Sequence, residues 1–393
     1  MSQHLLRLLA TAPLSMADLS EACGTAPQTL RRELRALVEE GWVVEVGTDN
    51  TTGGRPARIY GLNGGSHILV GVHLEIPTVR LAVVGLDGTV LHRCNLDCGS
   101  TAPPLEVMRQ IVDQIRELEE RHRQRHLVGI GVAAPGFVDP ATGGLLSVGR
   151  QPQWDSFPIS DHLEAEFDVA VTIANDVDCM AHEEFVPGGW EEPDTIYVGF
   201  GEGVKASLWL DGRPYHGRLG NAGLIGGTTV AGADGQPVAL EQVSSVGAVC
   251  EAFASLADAE DPEHAAILGV ADRTARFRAI MAASVDRQPL AAEILEAALA
   301  ALAQGLANVV VLLQPRLLVI GGALAQLDDD RWNALQYEVR TQVHPLIGHQ
   351  LRLRRARRPS DLGAAFGAAK LALQGVDTSV AAGPQRRRDV RAS

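Results

Sequence analysis

One short segment carries hydrogen-bond donors at helical spacing: Gln28, Thr29, Arg31, Arg32 and Arg35. Guanidinium and carboxamide groups three and four residues apart on one helix face suit duplex DNA, because arginine pairs with guanine edges and phosphates and glutamine with adenine. Leu30, Leu34 and Leu37 fall between them at steps of four and three, so the same helix has a second, apolar face to bury. A further arginine, Arg55, stands in the polar run Gly53-Gly54-Arg55-Pro56, with Arg58 close behind. The elements needed to position these groups are legible around them. An apolar-spaced helix over Met16 to Cys23 precedes a Gly24-Thr25 turn, Gly41 stops the second helix, and Trp42-Val43-Val44 and Ile59-Tyr60 read as two short strands flanking the loop 47–58. That order predicts a helix-turn-helix with a β-hairpin wing, its second helix in the major groove and its hairpin on the adjacent backbone or minor groove. A small helical protein-interaction domain is the alternative for the helix pair.

At 393 residues the chain exceeds one ordinary core and predicts two or three domains. Its 46% hydrophobic and 21% charged composition is that of a globular protein. No run of about 18 uninterrupted apolar residues and no basic-then-apolar leader is present, so a cytoplasmic location without membrane contact is expected. The five cysteines, Cys23, Cys94, Cys98, Cys179 and Cys250, form no CxxC pair, and nothing completes a metal site around Cys94 and Cys98. The net charge of −14 argues against general coating of nucleic acid, and residues 1–65 hold six arginines against seven acids. DNA affinity must then come from the placement of Arg31, Arg32, Arg35, Arg55 and Arg58, helped by dimer avidity.

From Ile68 the pattern turns to short apolar strands, ILVGVHLE, VRLAVVGLDG and TVLHRCNL, then a helix at about 104–124, the strand LVGIGVAA, a helix at about 160–167, the strand VAVTIAND and the helix VDCMAHEEF. A second meander, TIYVGFGEGVKASLWLDGRPY, repeats the plan, followed by mainly helical stretches 237–258 and 259–314 and the strand RLLVIGG. The repetition predicts two similar α/β lobes facing each other across a cleft, about 66–185 and 186–360, with a closing helix over 361–375. Residues 376–393 have no apolar period and are expected to be disordered. Their Arg386-Arg387-Arg388 run reads as a solvated end, with a DNA contact as the alternative.

A winged helix ending in GGRPA, followed by PGFVD, ANDVDCMAHEE, LDGRPYHG and PRLLVIGGALA, resembles the ROK family (repressors, open reading frames and sugar kinases), and within it the repressor branch. The similarity runs over about residues 14–375. It implies an actin-like ATPase fold, a hexose-type ligand in the cleft, a structural zinc, and dimers or tetramers.

Several of the family's positions are altered here. The kinases' first phosphate loop, an Asp followed by two glycines and a Thr, is His73-Leu74-Glu75-Ile76-Pro77-Thr78, where Pro77 also deletes an amide donor. The second, Gly-Thr-Gly, is Gly201-Glu202-Gly203-Val204-Lys205, which puts a carboxylate where phosphate would sit, with Lys205 available to offset it. Gly199, Gly201 and Gly203 do not match the GxGxxG spacing of a dinucleotide fold. The zinc segment reads Leu224-Ile225-Gly226-Gly227, then Thr228 to Ala239 without cysteine, then Leu240-Glu241. No metal and no cofactor is therefore expected, and Leu224 replaces a sugar-binding Glu. Asn175-Asp176 matches the pair that holds the sugar, with Asp176 its hydroxyl acceptor, and Glu241 keeps one further contact. A helix N-cap is the other role for Asn175-Asp176, and both can hold together.

These features predict a winged helix-turn-helix over residues 1–65 followed by a degenerate two-lobed sugar-kinase-like domain over 66–375. The expected function is a non-enzymatic transcriptional regulator that binds double-stranded operator DNA through Gln28, Thr29, Arg31, Arg32, Arg35 and Arg55. A sugar or polyol effector at Asn175, Asp176 and Glu241 would modulate it. The alternatives are an active sugar kinase with an appended domain, and a regulator controlled by a protein partner without a small effector.

Overall fold

The computed structural model describes residues 1–49, 56–139, 142, 144–149, 151–185, 193–232, 234–358 and 360–376. Arg55 with Gly53 and Gly54, and the arginine run at 386–388, lie outside the described residues. Two compact units form, one from the chain up to Gly189 and again from Leu362, the other from Trp190–Asp361.

The first unit opens with α1 (Ser2–Thr11), β1 (Leu14–Ser15), α2 (Met16–Cys23), α3 (Pro27–Glu39), β2 (Val43–Asp49) and β3 (Ala57–Leu62). Local chemistry sets these limits. Ser15 caps α2 by accepting from the Asp18 amide at 3.2 Å while the Asp18 carboxylate accepts from the Ser15 amide at 2.9 Å. Gly24, at φ 57°, ends α2 in the left-handed region. Pro27 starts α3, where its missing N–H costs nothing. Leu30, Leu34 and Leu37 are buried as their spacing predicts. β1, β3 and β2 then pair as an antiparallel sheet in that order, which is the wing. α1, ahead of the helix pair read from the sequence, adds Leu5, Leu6 and Leu9 to the same core.

The rest of the first unit is built from β4 (His67–His73), β5 (Thr78–Gly85), β6 (Val90–Asp97), α4 (Pro104–Arg121), β7 (His126–Ala134), the short β8 (Phe137–Val138) and β9 (Leu145–Ser147), α5 (Ile159–Phe167), β10 (Ala170–Asn175) and α6 (Asp176–Phe185). Its main sheet runs β10-β7-β4-β5-β6, parallel through β10, β7 and β4 and antiparallel through β5 and β6. One face packs Val70, Val72 and Ile130 against Val107, Ile111 and Ile115 of α4.

The second unit repeats the plan. β11 (Thr195–Phe200), β12 (Val204–Leu210) and β13 (Arg213–Tyr215) form the meander, and β14 (Thr229–Ala231) pairs with β15 (Pro237–Ala239). Then come α7 (Leu240–Val243), α8 (Val246–Leu256), α9 (Pro262–Leu268), α10 (Arg273–Val285), α11 (Pro289–Leu313), β16 (Leu317–Gly322), α12 (Asp329–Thr341), α13 (Pro345–Gln350) and β17 (Arg352–Arg355). The sheet order β13-β12-β11-β16-β17 has the same succession of antiparallel and parallel pairs as the first. The stretch from 237, expected as helix, opens instead with β15, because Gly235 at φ 75° turns the chain back onto β14. α11 is long and apolar enough to cross a membrane, yet Leu295, Leu302 and Leu306 sit in the unit's core beside Phe277 and Ile320.

The final helix, α14 (Ser360–Ala372), returns to the first unit. It lies against the second face of that sheet at backbone contact. A Cβ on Gly71 would stand 1.8 Å from the Ala365 carbonyl, and one on Gly131 1.8 Å from that of Ala368. Its other flank carries Ala365, Phe366, Ala369 and Leu373 into a core shared with Leu5, Leu6, Leu9, Leu30 and Leu34 of the winged helix and Leu69 and Val84 of the sheet. At the junction the Trp42 and His67 rings stack at 4.1 Å with 6° between their planes.

Candidate functional site

α3 presents Gln28, Thr29, Arg31, Arg32 and Arg35 to solvent on the side opposite its buried leucines. Arg32 is 79% exposed and pairs at 3.5 Å with the neighbouring Glu33, whose other oxygen accepts from Ser2 Oγ at 3.1 Å. The donors thus project from a helix held on its inner side by α1. Arg58 leans across the wing to Glu45 at 3.1 Å, so its charge is partly engaged within the hairpin.

Asn175 closes β10 and Asp176 opens α6. Asn175 is 4% exposed and locked in place. Its Nδ2 donates to the Gly136 carbonyl at 3.1 Å and its Oδ1 accepts from the Val177 amide at 2.9 Å. Asp176, half-buried, accepts from the same amide at 2.8 Å. The pair therefore does cap the helix, sharing one N–H. Gly136, at φ 83°, supplies the carbonyl that orients Asn175, a partner no sequence spacing indicated.

In the second unit Glu241 is exposed on α7, and a Cβ on Gly226 would come within 2.7 Å of its Oε2. Leu224, beside it, is 46% exposed. The cysteine-free segment forms the β14–β15 hairpin, and among the described residues no three His, Cys, Asp or Glu side chains gather where a metal could be held. Glu202, in the loop between β11 and β12, pairs with Arg273, whose Nη1 lies 2.8 Å away. Arg273 also binds Glu251, and that bond, aided by Glu202, holds its guanidinium above the ordinary value. Lys205 is buried with its ammonium 3.5 Å from the Ala206 carbonyl. His73 ends β4 at 4% exposure, and among the described residues its Nδ1 has no hydrogen-bond partner. An imidazole so placed is not a hard carboxylate ligand for magnesium.

Residues 69–375 match the ROK family, and residues 4–47 the IclR helix-turn-helix domain. The chain is 25% identical over 318 residues to a xylose repressor of Caldicellulosiruptor bescii, covering 78% of this chain and 79% of the relative. It is 27% identical over 218 residues to the DNA-binding transcriptional dual regulator NagC of Escherichia coli, covering 54% and 53%. Among solved structures, a ROK family transcriptional regulator, homolog of E. coli MLC, superposes with a TM-score of 0.76 at 22% identity, covering 95% of this chain and 97% of that one. A ROK family glucokinase from Streptomyces griseus in complex with glucose and AMPPNP superposes at 0.64 and 22% identity, over 78% of this chain and 100% of that one. The fold is thus a helix-turn-helix domain followed by a sugar-kinase-like domain of actin type.

Proposed function

The chain belongs to the ROK family, and on that premise we propose that it is a DNA-binding repressor of carbohydrate metabolism whose operator affinity is set by a sugar or polyol effector. The observation that carries this reading is α3, an arginine-bearing helix face turned to solvent on a winged helix that precedes the kinase-like units. Gln28, Thr29, Arg31, Arg32 and Arg35 read the major groove, and Arg55 extends the contact from the wing. Asn175, Asp176 and Glu241 accept hydroxyls of the effector. The protein works in the cytoplasm as a homodimer or tetramer on an inverted repeat.

The family also contains glucokinases, such as one from Halalkalibacterium halodurans that is 25% identical over 308 residues. Against phosphoryl transfer stand His73 in place of a carboxylate, Pro77 in place of an amide donor, and the Glu202–Arg273 pair in the second phosphate loop. Genome-wide binding followed by effector titration tests the regulator. An inverted repeat released by a sugar is the expected result, whereas dispersed binding without a palindrome would remove it. A coupled kinase assay over a sugar panel tests the enzymatic alternative, which turnover above background would restore.

A further inference from the structure

The first turn of α1 sits against the helix that carries the exposed arginines. Ser2 Oγ donates to Glu33 Oε2 on α3 at 3.1 Å, and the other carboxylate oxygen, Oε1, lies 3.5 Å from Arg32 Nη2. α1 is itself held in place. Leu5, Leu6 and Leu9 are buried in the core shared with α3 and α14, and Gln3 Nε2 and Arg7 Nη2 donate to the Gln374 carbonyl at 2.9 and 2.8 Å. Glu33, its side chain 25% exposed, is therefore a carboxylate pinned from behind, whereas Arg32 is solvated.

Arg31, Arg32 and Arg35 share the solvent side of α3, and they differ. Arg32 has a carboxylate beside its guanidinium. Among the described residues, Arg31 and Arg35 take part in no ion pair. Successive positions on a helix point about 100° apart, so Arg32 meets Glu33 by bending toward the α1 side. That contact selects among the rotamers of Arg32 before DNA arrives, which lowers the entropy lost on binding. It also selects the target. A phosphate carries a full negative charge and is repelled by Glu33, while a guanine edge offers the neutral acceptors O6 and N7. The guanidinium has five N–H groups, so donors remain for the base when one faces Glu33.

We propose that Glu33 is a positioning residue that sets specificity: it directs Arg32 to a guanine edge and away from phosphate, leaving the backbone to Arg31 and Arg35. The proposal rests on α3 being the DNA-reading helix and divides its arginines between two roles. Ser2 fixes the carboxylate, so the setting of Arg32 is inherited from α1 and the core beneath it.

The test compares wild type with Glu33→Gln in the full chain, on the operator recovered by selection and on a mixed-sequence duplex, across a potassium chloride series. The amide keeps an oxygen for Ser2 Oγ, so the fold is retained, which a thermal melt checks. The expected result is mixed-sequence binding tighter by roughly three- to fivefold, the size of one like-charge contact in water. Its log–log salt slope should steepen by up to about 0.9 as Arg32 gains a phosphate. The operator should gain less, so the operator-to-mixed ratio falls. Equal gain on both duplexes would reduce Glu33 to a non-specific charge, and equal loss would make its role structural. Either result, or no change, overturns the proposal. In an Arg32→Ala background, Glu33→Gln should no longer alter the ratio, and a persisting effect also overturns it. Arg32→Ala alone checks the premise. If it leaves the ratio intact, the α3 reading fails; a ratio that falls with Arg32→Ala but not with Glu33→Gln removes the role of Glu33 and leaves α3 as the reading helix.

Discussion

Arg273, the first residue of α10, reaches 2.8 Å to Glu202 in the loop joining β11 and β12, and also binds Glu251 on α8. One guanidinium thus ties the β11–β12 loop to α8 and α10 through two carboxylates.

That pair is partly solvated, with side-chain exposures of 43% for Arg273 and 31% for Glu202. Arg273→Ala should therefore lower stability by only about 0.5–1 kcal/mol after solvent screening, read as a shift in the urea midpoint. A loss several times larger would mean that the loop depends on the bridge.

For the DNA face, Arg32→Ala should weaken the cognate operator by about 1–3 kcal/mol, seen in fluorescence anisotropy, with little effect on mixed sequence. An equal loss on both duplexes would reduce Arg32 to a phosphate contact.

Asp176→Asn keeps an oxygen for the Val177 amide, so fold and basal operator binding should be retained while the charge assigned to the effector site in the proposed function is removed. Couplings between effector and DNA are commonly 1–3 kcal/mol, or about 5–150-fold, and this variant should lose them. A response equal to wild type would take Asp176 out of the ligand site.

The junction should be acid-sensitive. Burial pushes His67 down to about 4 from 6.5, and the nearby His126 adds to the effect. In that window the unfolded chain binds more protons than the folded one. Stability is thus full above pH 6.5 and drains away as pH falls toward 4. His67→Gln should flatten that acid limb of the melting temperature, and an unaltered limb would assign it elsewhere.

Gly367→Ala sets two effects against each other. Alanine gains about 1 kcal/mol of helix propensity, but its Cβ would stand 1.8 Å from the Cys179 carbonyl. Overpacking at backbone contact costs on the order of 3 kcal/mol, so the variant should be clearly less stable by denaturant unfolding.

What the sequence discloses is local. The leucine spacing of α3, the Gly24 turn and the two meanders each lie within a few residues of their own signal, whereas the Ser15–Asp18 cap emerged only in the structure. The exposed face with Gln28, Arg31, Arg32 and Arg35 followed directly from that periodicity. The partners that hold the module did not, because they are remote. Gln3 and Gln374 are 371 positions apart, and Arg273 and Glu202 are 71. Periodicity shows that a face is buried without naming what buries it. α1 was within reach through the apolar set Leu5, Leu6 and Leu9, whereas the role of Gly136 and the β14–β15 hairpin depended on chain reversals that composition alone does not encode.

Because Leu5, Leu30 and Leu34 share one core with Leu69, Val84 and Phe366, the winged helix is not an interchangeable cartridge. A chimera joined at residue 65 would set a foreign apolar surface against β4, β5 and α14, and would fail in folding before its operator choice could be read. On the reading proposed above, transplanting specificity onto this scaffold means rewriting the solvent side of α3, at positions 28, 29, 31, 32 and 35, and leaving the leucines between them as they are.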